Sequence, residues 1–219
     1  MTFPNALTGV KKLYTAQILA LIAVIALLLV SLLGLGVKET VNVEEIDAAT
    51  AVTGGGILLL ALAAGIISII ALIMNIVGLN HAKLDEGAFR TALILTIVGL
   101  AVSVVSTAVE SSNAVVSSFI SIAANVLSLA ASIFVIKGIM NLAAQLDRED
   151  MVEKGNSFLK IIVCLNVVSI AASIVSSSMT VQTESNASLI IAIVASVVSI
   201  VSCIVFLSYL SKAKKMLEA

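Results

Sequence analysis

The 219-residue chain has no tryptophan, one proline, one histidine and two cysteines, and only 11% of its residues are charged. Each scarcity closes off a class of protein. Two cysteines, Cys164 and Cys203, cannot build a disulfide framework. A lone histidine, His81, without a Cys-x-x-Cys pair leaves no zinc site of the usual composition, so no metal and no other cofactor is expected. A formal net charge of −1 gives no basis for a nucleic-acid partner. Aromatics at 4% make a ring-lined ligand pocket hard to build. A soluble domain is roughly 25% charged and 45–50% apolar. Here 60% is apolar and the mean hydropathy is +1.21, too much hydrocarbon for a globule of this size to hide. The same composition excludes a disordered chain.

What is present is a series of long apolar runs, near residues 13–36, 57–79, 91–109, 114–140, 158–180 and 187–210. A membrane helix needs about 20 apolar residues, because the hydrocarbon layer is roughly 30 Å thick and each residue rises 1.5 Å. The runs are continuous, whereas strands of a membrane barrel alternate apolar and polar residues. The first run exceeds the roughly 7–15 apolar residues of a signal peptide and reads as a retained span. The pattern predicts an all-α membrane protein of six spans, one integral domain over residues 1–219. The lipid bilayer is its first partner. No span contains proline, since Pro4 precedes them all, so the broken helices of many secondary transporters are not signalled.

Charge sets the expected orientation. In a six-span arrangement eleven of the twelve cations fall on one side, and only Lys38 on the other. The positive-inside rule makes the basic side cytoplasmic, with both termini there, in a plasma (inner) membrane. Six acids share the outer side with Lys38, a net of −5. Seven acids share the inner side with the eleven cations, a net of +4. Asp47, Glu110 and Glu184 are candidates for an outer acidic rim.

The spans pair into three tandem hairpins, with repeat boundaries near 9–85, 86–153 and 154–219. Their cytoplasmic starts set a ring beside a cation: Lys12 with Tyr14, Phe89 with Arg90, Phe158 with Lys160. Rings and snorkelling cations suit the membrane interface. The cytoplasmic ends of the first two read Ala82, Lys83, Leu84, Asp85 and Ala144, Gln145, Leu146, Asp147. A parallel repeat of this kind predicts a pseudo-threefold bundle about the membrane normal. The triplet Gly54, Gly55 and Gly56 reads as a flexible turn before the second span. The sign-alternating stretch 147–154 reads as a solvated extension of the fourth span, and as a docking surface for a cytosolic partner.

Small and polar residues fall at steps of three and four, which keeps each set on one helical face. Span one has Ala16, Ala20 and Ala23. Span two has Ala61, Gly65, Ser68 and Asn75. Span three has Thr96, Gly99, Ser103 and Ser106, and span four has Ser117, Ser121, Asn125, Ser128 and Ser132. Span five has Asn166, Ser169, Ser173 and Ser176. Span six has Ser188, Ala192, Ala195, Ser199 and Ser202. Such stripes serve either as seams for close helix packing or as the lining of a polar route. Asn75, Asn125 and Asn166 matter most, because an unpaired amide inside a membrane is costly. With Ser103, Ser128 and Ser173 they are the candidate polar interior.

No carboxylate lies in mid-membrane, where proton relays and ion-coupled transporters usually need one. His81 reads as a helix-end anchor and the two cysteines as small buried apolar residues. No catalytic residue is signalled, and a non-enzymatic protein is expected. The leading expectation is a membrane-embedded interaction or assembly subunit, self-associating or serving another membrane or cytosolic protein. The alternative is a small-solute transport or substrate-binding subunit, or a passive channel. In size, span count and inferred topology the chain is similar, in general plan only, to the substrate-binding subunits of energy-coupling-factor transporters. Under that likeness Ala16-x-x-x-Ala20 would serve docking.

Overall fold

The computed structural model describes residues 3–40, 48–110, 114–179 and 186–218. The chain folds as six helices: α1 (Pro4–Thr40), α2 (Ala48–Ala82), α3 (Gly87–Glu110), α4 (Ala114–Gln145), α5 (Glu149–Met179) and α6 (Asn186–Glu218). No strand occurs among the described residues. All six contain stretches long and apolar enough to cross a membrane. The protein is therefore an all-helical, multi-pass membrane protein. Leucine, isoleucine and valine on its outward faces, such as Leu59, Leu62, Ile66, Ile69 and Val104, are more than half exposed. In water that surface would be prohibitive; against lipid chains it is the expected exterior.

The helices overrun the apolar runs, because a helix need not stop where the hydrocarbon does. α1 begins at Pro4, the first-turn position where proline loses nothing. Asp85, from the turn after α2, caps α1: its carboxylate accepts from the Ala6 N–H at 2.7 Å and from the Asn5 amide at 3.0 Å. An acid at a helix N-terminus satisfies free N–H groups and meets the positive end of the dipole. Glu86, the next residue, accepts from Ala88 N–H (3.3 Å) at the start of α3 and from the Asn141 amide (3.0 Å) of α4. One short turn thus ties three helices.

Two expectations are corrected here. Gly54, Gly55 and Gly56 are not a turn; they lie inside α2, which begins at Ala48. The stretch 147–154 does not extend the fourth span. α4 ends at Gln145, and Asp147 takes a left-handed φ of 53°. Arg148 N–H then reaches back to Ala143 C=O (2.9 Å) and Asp147 N–H to Ala144 C=O (3.2 Å), a Schellman closure of the helix. Glu149 and Asp150 open α5 instead, acids in the first turn where the dipole favours them.

Each helix packs against its neighbours in the chain, and α6 closes back onto α1, so the described residues form a ring of six. The α1–α2 and α3–α4 seams are the most extensive, and α2–α3 is the slimmest. The first seam is set by glycine. A Cβ on Gly9 would stand 2.6 Å from the Gly78 carbonyl oxygen, and one on Gly78 would stand 2.9 Å from that of Gly9. Only glycine at both positions lets the backbones come this close. In the second seam Phe89, fully buried, fills the space left by Gly138. Where α5 meets α4 and α6, Gly155 gives room to Met140 and to the Tyr209 hydroxyl, while the Tyr209 ring lies 5.0 Å from that of Phe158.

Among the described residues the large buried side chains gather at one end of the ring. The buried core, including Val10, Leu79, Phe89, Ile136, Ile139, Leu142, Tyr209 and Leu210, gathers where α1, α3 and α5 begin and α2, α4 and α6 end. Lysine and arginine side chains rim this same end, which we term the basic end. Lys11 pairs with Glu218 (3.0 Å) across the α1–α6 closure, and Lys214 lies over the Tyr14 ring at 5.6 Å. Both partners of the ion pair are well exposed, so solvent screening leaves it little weight in stability. Lys137 reaches over Phe134 (5.9 Å) and is exposed, as a snorkelling lysine should be.

Candidate functional site

Above the apolar core the six helices part around a cavity of about 490 Å³. Every helix contributes to its wall, and every lining residue lies within an apolar, membrane-crossing stretch. On α4 the lining runs over residues 124–135, which at 1.5 Å per residue is roughly 16 Å along the axis. Leu13, Leu79, Val135 and Ile162 belong both to the buried core and to the cavity wall. With Phe206 they form an apolar floor toward the basic end.

The polar wall is built of amides and hydroxyls. Asn75 of α2, Asn125 of α4 and Asn166 of α5 all line the cavity, with Gln17 of α1, Thr96 and Ser103 of α3, Ser128 and Ser132 of α4, and Ser202 of α6. The three asparagines marked out in the sequence thus meet in one space, one from each hairpin. Their hydrogen bonding differs. Asn166 Nδ2 donates to its own helix at Ile162 C=O (2.8 Å), which leaves its Oδ1 open. Gln17 of α1 lines the same wall as the Cys203 thiol of α6. The Asn75 and Asn125 amides make no hydrogen bond among the described residues. Inside a bilayer there is no bulk water to satisfy them, so these groups need a cavity water or a guest.

Three of the lining hydroxyls spend their protons on their own helices. Thr96 donates to Ala92 C=O (2.9 Å), Ser103 to Gly99 C=O (3.0 Å) and Ser132 to Ser128 C=O (3.1 Å). Each oxygen then faces the cavity as an acceptor. No described lining residue carries a charge.

From Ser103 and Asn125 a crevice of about 220 Å³ continues between α3 and α4, away from the basic end, past Ser106, Thr107 and Ser121. Here the stripes become a seam. The Ser106 hydroxyl lies 2.6 Å from that of Ser121 and 2.9 Å from the Ser117 carbonyl, and the Ser117 hydroxyl donates to Ser106 C=O (3.0 Å). One stripe therefore does both jobs, hydrogen-bonded packing at one level and cavity lining at another.

The other sequence candidates fall elsewhere. Ser173 lies on α5, with its side chain outside the described set, as is that of Glu110 at the end of α3. Asp47 and Glu184 lie outside the described residues. Ala16 and Ala20 do not offer a docking face: Ala16 is buried and Ala20 lines the cavity. On α2 the inward face is Ala64, Ala71, Asn75 and Gly78, whereas Gly65 and Ser68 face outward. Cys164 is exposed rather than buried, and Cys203 is in the cavity wall. Gln17 escaped notice in the sequence, although it meets the same criterion as the asparagines, an amide inside a span. His81 anchors the end of α2, with Nδ1 2.8 Å from Val77 C=O and Nε2 3.5 Å from the Lys12 ammonium. Among the described residues no three His, Cys, Asp or Glu side chains gather where a metal could bind.

The architecture is that of a helical membrane protein with a central, uncharged polar cavity. No protein-family model, no curated protein and no solved structure matches the chain.

Proposed function

We propose that the protein is a non-enzymatic membrane subunit that binds a small solute in the central cavity, for transport or for delivery to a partner subunit. The observation that carries this reading is the cavity itself, walled by all six helices and holding two unpaired amides at membrane depth. Its volume lies within the roughly 300–1,000 Å³ of ordinary small-molecule sites. At about 30 Å³ per water it has room for roughly sixteen. The assembly role is the weaker reading. Of the small-residue faces that suggested it, Ala16 and Ala23 are buried in packing within the chain, and only Gly65 and Ser68 of α2 still face outward among those described.

In this reading the basic end faces the cytoplasm of an inner or plasma membrane, with both termini inside. The three hairpins act as pseudo-repeats that each supply an asparagine. The cavity is loaded from the outer side, along the Ser103 to Thr107 crevice, and the apolar floor keeps it closed to the cytoplasm.

The test is solute flux in proteoliposomes, followed by stopped-flow light scattering after a glycerol step. Reswelling faster than in protein-free vesicles supports a passive route. Saturable protection of Cys203 by solute without flux supports a binding subunit. If neither occurs, and the purified protein is a stable self-associated oligomer by native mass measurement, the assembly role replaces this proposal. Current in planar bilayers, with ions carried through an uncharged cavity, would also count against it.

A further inference from the structure

The hydrogen-bonding inventory of the cavity narrows the guest, an inference that rests on the solute-binding reading. Thr96, Ser103 and Ser132 have given their protons to their own helices, so each presents only lone pairs. Asn166 has committed one of its two amide N–H bonds and keeps the other beside its carbonyl oxygen. Asn75 and Asn125 each keep a donor end and an acceptor end. The Ser128 and Ser202 hydroxyls keep their protons, but every wall oxygen carries two lone pairs, so the wall still offers more acceptor sites than N–H and O–H donors and a guest that fits it must supply donors. No described lining residue carries a charge to offset an ionic guest, and an uncompensated ion at membrane depth is far more costly than a neutral hydrogen-bonding molecule. Among the described lining residues the one aromatic is Phe206, in the floor, so a flat aromatic guest has no ring pair there to sit between.

We propose that the cavity selects an uncharged, donor-rich small molecule of the polyol or urea type, held by the Asn75 and Asn125 amides and by the acceptor oxygens of Thr96, Ser103, Ser132 and Asn166.

Cys203 is a built-in reporter, because it lines the cavity while the other thiol, Cys164, lies on the exposed surface. The Cys164→Ser protein in lipid nanodiscs is treated with methyl methanethiosulfonate, a small neutral reagent, and modification is followed by intact mass. Glycerol, erythritol and urea are the neutral donor-rich probes. Methylguanidinium is the charged counterpart of urea, and acetate supplies acceptors without donors. At matched ionic strength the neutral probes slow Cys203 modification saturably, and the charged ones do not. Asn75→Leu and Asn125→Leu each raise the half-protecting concentration about five- to tenfold, the worth of one ordinary neutral hydrogen bond. Both variants should retain wild-type helical content, so a loss of protection is not a loss of fold.

Equal protection by methylguanidinium overturns the requirement for a neutral guest. Equal protection by acetate overturns the donor-rich requirement. Rapid modification that no probe slows overturns the ligand class and leaves an accessible cavity. A Cys203 that does not react at all overturns the solute-binding reading beneath it.

Discussion

Replacing Gly9 with alanine separates tertiary packing from helix propensity. In an isolated helix Gly→Ala is favourable by about 1 kcal/mol. At Gly9 the new methyl would stand 2.6 Å from the Gly78 carbonyl oxygen and 2.7 Å from the Ala82 Cβ, where ordinary contact begins near 3.4 Å. The deficit is about 0.8 Å. Most of it is against backbone and a Cβ, which have no rotamer to yield, so α1 and α2 must move apart along the ring's longest seam. Overpacking of this kind costs about 1–3 kcal/mol. The expected net runs from no gain to a loss of about 2 kcal/mol. Gly65→Ala is the control: it lies on α2, as Gly78 does, but its new methyl meets nothing within 4 Å. It should keep the propensity gain, up to about 1 kcal/mol. Reversible unfolding of both variants in mixed micelles, with rising dodecyl sulfate fraction, reads the difference directly. The cavity supplies a second readout, since Leu13 and Leu79 of this seam line its floor. Splaying the seam should speed Cys203 modification in Gly9→Ala and leave it unchanged in Gly65→Ala. Equal stabilisation by both substitutions would falsify the close approach of α1 and α2.

Other substitutions probe single contacts. Asp147→Gly should stabilise the protein by about 1 kcal/mol in the same assay, because glycine takes the left-handed φ of 53° without steric cost. Tyr209→Phe should be neutral or stabilising by about 1 kcal/mol, since the buried hydroxyl has no hydrogen-bond partner among the described residues and phenylalanine removes that burden; a loss above about 1 kcal/mol would mean that the hydroxyl is bonded. Gly138→Ala puts a methyl 2.9 Å from the Phe89 ring and should destabilise by about 1–3 kcal/mol; a double-mutant cycle with Phe89→Leu should recover part of that loss. Asp85→Ala removes the cap on α1 and should cost about 1 kcal/mol, with faster amide hydrogen exchange confined to the first turn of that helix.

The periodic stripes were legible as faces but not as contacts. Asn75, Asn125 and Asn166 stood out in the sequence because an amide in an apolar span is rare and expensive, and all three reach the cavity. Ser106, Ser117 and Ser121 looked the same as Ser103 and Ser128, yet the first three bond to one another across α3 and α4 while the others face open space. Level along the axis makes that difference, and no residue spacing encodes where two helices diverge. On α2 the error was one of rotation. Gly65 and Ser68 form as regular a stripe as Ala64 and Ala71, and the two faces begin one residue apart, or about 100° around the helix.

The sequence by itself determined six membrane-length helices, since continuous apolar runs of this length have no other stable form in a bilayer. It also determined that one end is basic, because cations are distributed by the order of spans alone. The tertiary structure decided the rest: that α6 closes on α1, that glycine brings α1 and α2 into backbone contact, and that the ring is filled at the basic end and hollow above it. The physical reason is that lipid solvates every apolar face equally well, so hydrophobicity cannot choose how a helix turns toward its neighbours. That choice falls to a few close-packed glycines and ring-filled gaps, whose partners lie far away in the chain.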